Sequence, residues 1–296
     1  MREEEIAQYH LHQKHPEKLQ FEIHSLEEYV LKNRHHNSTP HSHSFYQIIW
    51  FHKEGKHFVD FKCYDIKENS VLFVAKNQIH SFDKETEHKG ILIHFNERFL
   101  MQSDVDIFLK YKVFNEQNQT CYQINKEVIQ QSEILINQIR TELMNQDKFA
   151  HQQLIRYYLK SLLIVLERMQ GINQATDIKL TSDYDLKYFR FRELLEEHYN
   201  KSLTVSEYSD LLNVSTKTLT SITKAVKSKL PSELIAQRII LQAERLLSFT
   251  PLKINEIAYQ LGFEDASYFV KFFKRHLTQS PSEYRKAILK AKKEWK

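Results

Sequence analysis

The chain has 296 residues, a formal net charge of +4 and only 4 glycines, and 41% of its residues are hydrophobic against 27% charged. Gly55, Gly90, Gly171 and Gly262 lie far apart, whereas dinucleotide loops, phosphate loops and the nucleophile elbow of hydrolases each need at least two glycines within about six residues. The composition is typical of a water-soluble globular protein, and these three enzyme classes are excluded.

The length of the chain fits two domains of about 100–200 residues each. No apolar run approaches the roughly 18–20 residues that span a bilayer, and the acidic N-terminus does not resemble a signal peptide. We therefore expect a cytoplasmic protein without a membrane partner. Cys63 and Cys121 form no C-x-x-C pair and are expected to be reduced thiols.

Residues 20–125 show the pattern of a β domain. Short runs of aromatic and β-branched residues recur about every ten residues with turn residues between them, which predicts a small barrel or sandwich. The runs Phe45–Phe51 and Phe58–Tyr64 flank a turn at Gly55 and predict a β-hairpin. The later predicted strands are Val71–Ala75, Ile79–Phe82 and Ile91–Phe95.

Residues 126–170 change to the three- and four-residue period of two amphipathic helices, the second of which ends at Gly171. These helices either pack against the strand domain or form the seam of a homodimer, and the sequence does not separate the two. Residues 171–185 are polar and lose this periodicity, which predicts a linker.

The C-terminal part of the chain is basic. Residues 183–296 contain 20 Lys and Arg against 14 Asp and Glu, whereas residues 1–182 contain 22 against 24. This asymmetry is expected for a protein with a polyanionic partner, and it is equally expected for a lysine-rich face that is only solvated.

A helix–turn–helix pattern occurs twice within residues 186–296. In the second copy, Ile254–Leu261 has one apolar face and Gly262 lies in the turn. Glu264 or Asp265 is placed to cap the next helix, which runs to about residue 276.

The first copy is Val205–Leu212, a turn at Asn213 and a helix from Ser215 to Lys227. Between the two copies, a proline opens a long helix that extends to Phe249. A helix of this length is expected to hold the two units apart rigidly.

The residues from Leu252 to Arg275, followed by Ser-Pro-Ser-Glu-Tyr-Arg at 280–285, resemble the signature of AraC/XylS-type transcription regulators. The long helix, with Pro231-Ser-Glu-Leu-Ile and Ala243-Glu-Arg-Leu-Leu, resembles the helix that joins the two DNA-binding units of that family. The resemblance covers residues 186–290. It implies a sequence-specific DNA-binding transcription regulator, an activator that responds to a small-molecule effector, forms a homodimer, contacts RNA polymerase and performs no catalysis.

Position by position, the resemblance implies three sets of contacts to double-stranded DNA. One major groove is lined by Lys217, Thr220 and Ser221, and the next groove by Ala266, Ser267 and Lys271. Phosphates are held by the helix N-termini and by Lys224, Lys274 and Arg275.

The sequence departs from the family pattern mainly in its first unit. Ser221 stands where an arginine is common and Thr223 where a buried phenylalanine is usual, and Lys271 replaces an arginine in the second unit. Ser228 and Thr278 replace the glycines that follow the recognition helices. Since a bidentate Arg–guanine contact contributes about 1–3 kcal/mol of discrimination, we expect the first unit to read bases less sharply.

The N-terminal domain resembles a cupin barrel at His41, His43, Gln47 and His80. Metal-binding cupins hold one ion there through an H-x-H pair, a glutamate and a late histidine. Strand alternation places His41, His43 and Gln47 on one face, but glutamine is a poor ligand for transition metals. The four residues therefore form an effector pocket, bind a metal, or make structural hydrogen bonds.

We predict the effector pocket, without metal or cofactor. The alternative is a metal-dependent cupin enzyme that carries a DNA-binding domain. The predicted fold is an α+β multidomain chain, with a cupin-like effector-sensing β-barrel at 1–125 and a helical pair at 126–170 for packing or dimerisation. A linker at 171–185 leads to an all-α DNA-binding domain with two helix–turn–helix motifs at 186–296.

Overall fold

The structure is a computed structural model that describes residues 6–15, 17–96, 99–100, 121–169 and 183–294. The chain divides into two compact units, one formed by Ala7–Ile178 and one that includes Lys179–Lys296. None of the described helices is both long and apolar enough to cross a membrane. Most of the predicted linker, residues 171–182, and the predicted helix end at Gly171 lie outside the described residues.

The first unit contains two five-stranded sheets with the orders β1-β3-β8-β5-β6 and β10-β7-β4-β9-β2. All strand pairs are antiparallel except β1 with β3. The strands are β1 Ala7–Tyr9, β2 Phe21–Ser25, β3 His41–His43, β4 Tyr46–Phe51, β5 Gly55–Val59, β6 Lys62–Ile66, β7 Ser70–Val74, β8 His80–Phe82, β9 Gly90–Phe95 and β10 Cys121–Gln123.

The two sheets pack face to face over an apolar core. Leu72 and Leu92 of one sheet and Phe82 of the other belong to the same buried cluster. The short helix α1, Leu26–Lys32, adds Leu26 to this cluster, and it is followed by the single turn α2, Arg34–Asn37. The β domain predicted for residues 20–125 is therefore present as two packed sheets.

The predicted hairpin around Gly55 is wrong. β4 pairs with β7 and β9 in one sheet, whereas β5 pairs with β6 and β8 in the other, so the chain changes sheet between β4 and β5. Gly55 begins β5 opposite Ile66, and the hairpin turn lies at Asp60, whose φ is +50°. Aspartate tolerates this left-handed conformation, so the turn does not require a glycine.

Two amphipathic helices complete the first unit, α3 at Lys126–Leu143 and α4 at His151–Arg168. Asn125 caps α3 by accepting a hydrogen bond from the Val128 amide. Ile136 of α3 and Leu166 of α4 lie against residues of β4, β7 and β9, so the helices pack on the outer face of one sheet. Ile134 and Ile164 remain exposed on the same helices.

The second unit is helical. Its helices are α5 Asp183–His198, α6 Val205–Leu211, α7 Thr216–Lys227, α8 Pro231–Phe249, α9 Ile254–Gln260, α10 Ala266–Leu277 and α11 Pro281–Glu294. The predicted long helix is present as α8, which begins with proline in its first turn.

The long helix α8 contributes to two separate cores. Leu234 and Ile235 near its start pack on the cluster formed by α5, α6 and α7. Ala243 and Leu246 near its end belong to the cluster that contains residues of α9 and α10. One rigid element therefore joins the two helix–turn–helix cores.

The helices α7 and α10 stand where the recognition helices were predicted. Each ends in a residue that has a left-handed backbone conformation but is not glycine. Ser228 at the end of α7 has a φ of +55°, and Thr278 at the end of α10 has a φ of +61°. Glycine adopts this conformation without steric cost, whereas a β-branched residue is strained in it.

We expect Thr278→Gly to stabilise the second unit by about 1 kcal/mol, because glycine relieves this strain. Thr250→Gly is the matched control: Thr250 ends α8 with an extended φ of −128°, so glycine relieves no strain there, removes the hydroxyl's hydrogen bond to the Leu246 carbonyl and adds freedom to the unfolded chain. Urea unfolding measures both variants. If Thr278→Gly loses as much stability as Thr250→Gly, the backbone of Thr278 is not strained and the prediction is wrong.

Candidate functional site

The first helix–turn–helix is built from local caps. Thr204 and Glu207 form a capping box at the start of α6, in which the Glu207 carboxylate accepts from the Thr204 amide at 2.7 Å. Asn213 takes a φ of +55° in the turn, and the Ser215 hydroxyl accepts from the Thr218 amide at 3.0 Å to start α7. The predicted turn at Asn213 is confirmed, and Ser215, where the next helix was predicted to begin, is its N-cap.

The second helix–turn–helix depends on a glycine. Gly262 has a φ of +88°, and a Cβ atom there would lie 2.2 Å from the backbone oxygen of Asn200. Of the two predicted caps, the structure uses Asp265, whose carboxylate accepts from the Ser267 amide at 2.8 Å. A larger residue at the turn would therefore push α9 and α10 away from the segment before α6.

The predicted DNA-contact residues of α7 lie on its solvent face. Lys217 lies three residues before Thr220 and four before Ser221, and Lys224 lies four and three residues after them, so the four share one side of the helix. Lys217, Ser221 and Lys224 are exposed and Thr220 is half-buried. The opposite side buries Leu219 and packs in the core.

The predicted residues of α10 are arranged in the same way. Ser267, Lys271, Lys274 and Arg275 are exposed, and Ala266 is half-buried at the first position. Phe269 and Phe273 are fully buried on the opposite side. Arg275 also lies over the Phe272 ring, with 5.8 Å between its guanidinium carbon and the ring centroid.

In both helices, every charged side chain is positive. Neither the α7 sequence nor the α10 sequence contains Asp or Glu, and each contains three Lys or Arg residues. An exposed helix face with unopposed positive charge attracts a phosphate backbone. The α7 and α10 faces, defined by the predicted contact residues above, are thus the strongest candidate surface for DNA among the described residues.

The barrel interior brings together three of the four predicted pocket residues. His41, His43 and His80 are buried, and each offers one ring nitrogen within 4.8 Å of the other two. His41 and His43 are two residues apart in β3 and therefore lie on the same face of the strand. His41 pairs with His80 of β8. We call these three residues the histidine cluster.

The fourth residue, Gln47, faces His94, whose ring centroid lies 6.1 Å from that of His43. The Gln47 side-chain amide donates to Nε2 of His94 at 3.0 Å. His94 belongs with Glu22 and His24 in a second group, which we call the acidic group. The Glu22 carboxylate bonds His24 at 2.9 Å and also contacts His12 at 3.1 Å.

Sequence reasoning missed His57 as well as the acidic group. Nε2 of His57 lies 3.1 Å from Nδ1 of His80, and His57 is fully buried. The alternation along β5 and β9 points these residues inward, but the strand register that places them beside the predicted residues is visible only in the folded sheet.

Burial favours the neutral form of four barrel histidines. It lowers the pKa of His43, His57 and His80 well below the usual value, and it lowers the pKa of His94 to about 4. The hydrogen bond from His24 and the nearby ring of His94, whose Nδ1 lies 3.8 Å from the carboxylate, hold the pKa of the Glu22 carboxyl far below its usual range. The interior therefore presents neutral imidazoles rather than positive charge.

Comparison with known proteins assigns both units. Residues 25–146 match the family described as AraC-like ligand binding domain, and residues 208–287 match a helix-turn-helix domain family. The two matched ranges together span more than half of the chain. This chain belongs to the AraC family of transcription regulators. Its N-terminal unit is the ligand-binding domain of that family and its C-terminal unit is the DNA-binding domain.

Similar AraC-family proteins cover most of the chain. An "HTH-type transcriptional activator RhaS" of Yersinia pseudotuberculosis serotype I (strain IP32953) is 25% identical over 252 residues, which are 84% of this chain and 89% of the relative. The protein of the same name from Yersinia pestis bv. Antiqua (strain Angola) is 23% identical over 251 residues, with the same coverage of both chains.

Two solved structures are also similar. The C-terminal domain of the response regulator yesN from Fusobacterium nucleatum is 32% identical and covers 33% of this chain and 96% of its own, with a TM-score of 0.32. Fatty-acid-bound ToxT from Vibrio cholerae is 18% identical and covers 90% of this chain and 91% of its own, with a TM-score of 0.37.

The buried histidines predict a loss of stability in mild acid. The pKa of His94 lies at about 4 in the folded chain against 6.5 ordinarily, so the unfolded chain binds a proton first as the pH falls. The free energy of unfolding therefore decreases from pH 6.5 down to about 4, by about 1.4 kcal/mol per pH unit for each such histidine. Urea titrations of the chelator-treated protein at several pH values between about 4 and 7 measure this.

His94→Gln removes one titrating group while an amide remains beside Gln47, Glu22 and His24. We expect its stability to depend less steeply on pH than that of the unmodified chain. An unchanged slope would show that His94 is protonated in the folded barrel.

Proposed function

We propose that this AraC-family regulator binds double-stranded DNA by placing α7 and α10 in successive major grooves. The observation that carries the proposal is the pair of carboxylate-free, cationic helix faces joined by α8. The 19 residues of α8 span about 28 Å, which is close to the roughly 34 Å between successive major grooves on one side of B-DNA. The remaining difference is met by the size of the units or by bending of the DNA.

Each predicted contact residue has a role that its position supports. Lys217, Thr220 and Ser221 read one groove, and Ala266, Ser267 and Lys271 read the next. In α7, the hydroxyls of Thr220 and Ser221 donate to helix carbonyls one turn earlier, so their oxygens still accept hydrogen bonds from base edges. Phosphates are held by Lys224, Lys274 and Arg275.

The barrel at 1–125 is proposed to sense a small-molecule effector with the residues His41, His43, Gln47 and His80. Buried polar atoms without hydrogen-bond partners among the described residues support a polar ligand, and they include both ring nitrogens of His43 and Oε1 of Gln47. The chain acts as a cytoplasmic regulator and not as an enzyme. The rival function, catalysis by a metal cupin, has no support beyond the three histidines.

The effect on transcription is proposed to be activation through contact with RNA polymerase, because the curated relatives above are named as activators. The helical pair at 126–170 is proposed to form a homodimer through surface not used against the sheet, where Ile134 and Ile164 are exposed. The predicted linker at 171–185 connects this half to the DNA-binding domain predicted at 186–296, but its last three residues belong to α5, which begins at Asp183.

We expect Lys271→Ala to weaken binding to the chain's own upstream DNA more than binding to unrelated DNA, because Lys271 lies on the face proposed to reach base edges. Titrations at about 50 and 200 mM salt measure both affinities, and six or more phosphate contacts predict a loss of roughly 10³-fold over this range. Lys187→Ala is the control, since it removes the same charge from α5, where Lys187 pairs with Asp183.

An equal loss of affinity for both DNAs would assign Lys271 to a phosphate. Binding that does not depend on salt, or a Lys187→Ala effect as large as that of Lys271→Ala, would contradict the proposed DNA surface.

A further inference from the structure

The two helix–turn–helix units touch each other directly, through residues outside α8. Asn200 and Ser202 lie in the loop between α5 and α6, and the Ser202 hydroxyl donates to the backbone oxygen of Gly262 at 2.5 Å. Gly262 lies in the turn between α9 and α10, 60 residues further along the chain. One hydrogen bond therefore joins the loop before α6 to the turn before α10.

The backbones of this loop and this turn are also in close contact. A Cβ atom at Gly262 would lie 2.2 Å from the backbone oxygen of Asn200 and 3.0 Å from the hydroxyl oxygen of Ser202. Glycine is the residue that permits so close an approach of two backbones. The absence of a side chain at Gly262 thus serves the contact between the units as well as the turn.

An aromatic side chain of the same loop contacts both cores. Tyr199 packs against the core formed by α5, α6 and α7, and also against the core that contains residues of α9 and α10. The guanidinium of Arg238 in α8 lies 4.0 Å from the centroid of the Tyr199 ring. We call Tyr199, Asn200, Ser202 and Gly262 the junction.

Ser202 has an unfavourable backbone conformation within the junction. Its φ is +54°, a value that glycine adopts without steric cost and that serine seldom adopts. Residues other than glycine stay in such conformations where the surrounding structure holds them there. Glycine would suit the loop alone better, so the presence of a hydroxyl at this position is explained by its bond to Gly262.

A second connection restrains a motion that one shared helix leaves free. The length of α8 sets the distance between the two cores along its axis, whereas bending or twisting of α8 would turn one unit relative to the other. The junction joins the units outside α8 and opposes such a turn. When α7 is seated in one groove, a turn of the second unit changes the position at which α10 meets the DNA.

We propose that the junction sets the spacing of the two DNA half-sites that the chain accepts, and that Ser202 is its positioning residue. The inference rests on the proposed function, because it takes α7 and α10 as the helices that enter the grooves. An intact junction narrows the range of accepted spacings. A loosened junction lets α10 follow a displaced half-site with a smaller loss of affinity.

Binding of the full chain to duplexes of altered spacing tests the proposal. The duplexes derive from the chain's own upstream DNA, with the half-sites located by methylation protection of guanine N7 and moved by about one or two base pairs in either direction. Ser202→Gly removes the hydroxyl and relieves the backbone strain. These effects oppose each other, so we expect little change in stability by urea unfolding.

At the natural spacing, we expect Ser202→Gly to bind about 2- to 10-fold more weakly than the unmodified chain, which is the range of one net intramolecular hydrogen bond. At the altered spacings, we expect a smaller loss or none, so the dependence of affinity on spacing becomes flatter. Ser202→Ala removes the same hydroxyl without relieving the strain and should flatten this dependence as well. A flatter dependence distinguishes a positioning role from a general loss of folded protein, which lowers affinity equally at every spacing.

Ser228→Gly is the matched control, because it makes the same change at a φ of +55° outside the junction and should leave the dependence on spacing unchanged. The proposal is overturned if both Ser202 variants keep the spacing dependence of the unmodified chain, or if they lose affinity by the same factor at every spacing. If the unmodified chain binds none of the duplexes in a salt-dependent manner, the proposed function fails, and this inference fails with it.

Discussion

The second unit depends on the packing of α8, which is shared by both helix–turn–helix cores. Arg238 fixes this helix to the first core: its Nε donates to the Glu196 carboxylate at 2.7 Å, and its guanidinium lies 4.0 Å from the centroid of the Tyr199 ring. Further along, Leu246 is buried with the residues of the second core. Because one continuous helix takes part in both cores, the packing of α8 couples the positions of α7 and α10, and the distance between their exposed faces is set by the fold.

The barrel is governed by a different constraint, the burial of polar groups inside two packed sheets. One part of the interior is apolar and includes Leu72 and Leu92, whereas the other part contains the histidine cluster and His94. Burying polar atoms without partners costs about 1–3 kcal/mol each, so such an interior favours a bound ligand or ordered water that supplies the missing hydrogen bonds. A DNA-binding unit that is rigid and a barrel that is polar inside together form the physical basis of a regulator that responds to a bound ligand.

Local signals in the sequence predicted the second unit well. Gly262 in the turn, Asp265 as a cap and the proline at the start of α8 each act over a few residues, and each lies where the pattern placed it. The barrel was predicted only as a class of fold, because strand pairing joins residues far apart in the sequence. The prediction of a hairpin at Gly55 was wrong for this reason. For the same reason, the sequence did not reveal that His94 pairs across the sheet with Gln47. At the ends of α7 and α10, the path of the backbone imposes a left-handed conformation on Ser228 and Thr278, against the conformational preference of these residues.

In the proposed complex, one chain presents α7 and α10 at a fixed separation to successive major grooves. Methylation protection of guanine N7 on the chain's own operator tests it directly, since this atom lies in the major groove. We expect two protected patches for each bound chain, on one face of the DNA and about one helical turn apart. We also expect a sharp loss of affinity when about five base pairs are inserted between the patches, because the insertion places them on opposite faces. A single protected patch for each chain, or two patches that tolerate the insertion, would contradict this arrangement.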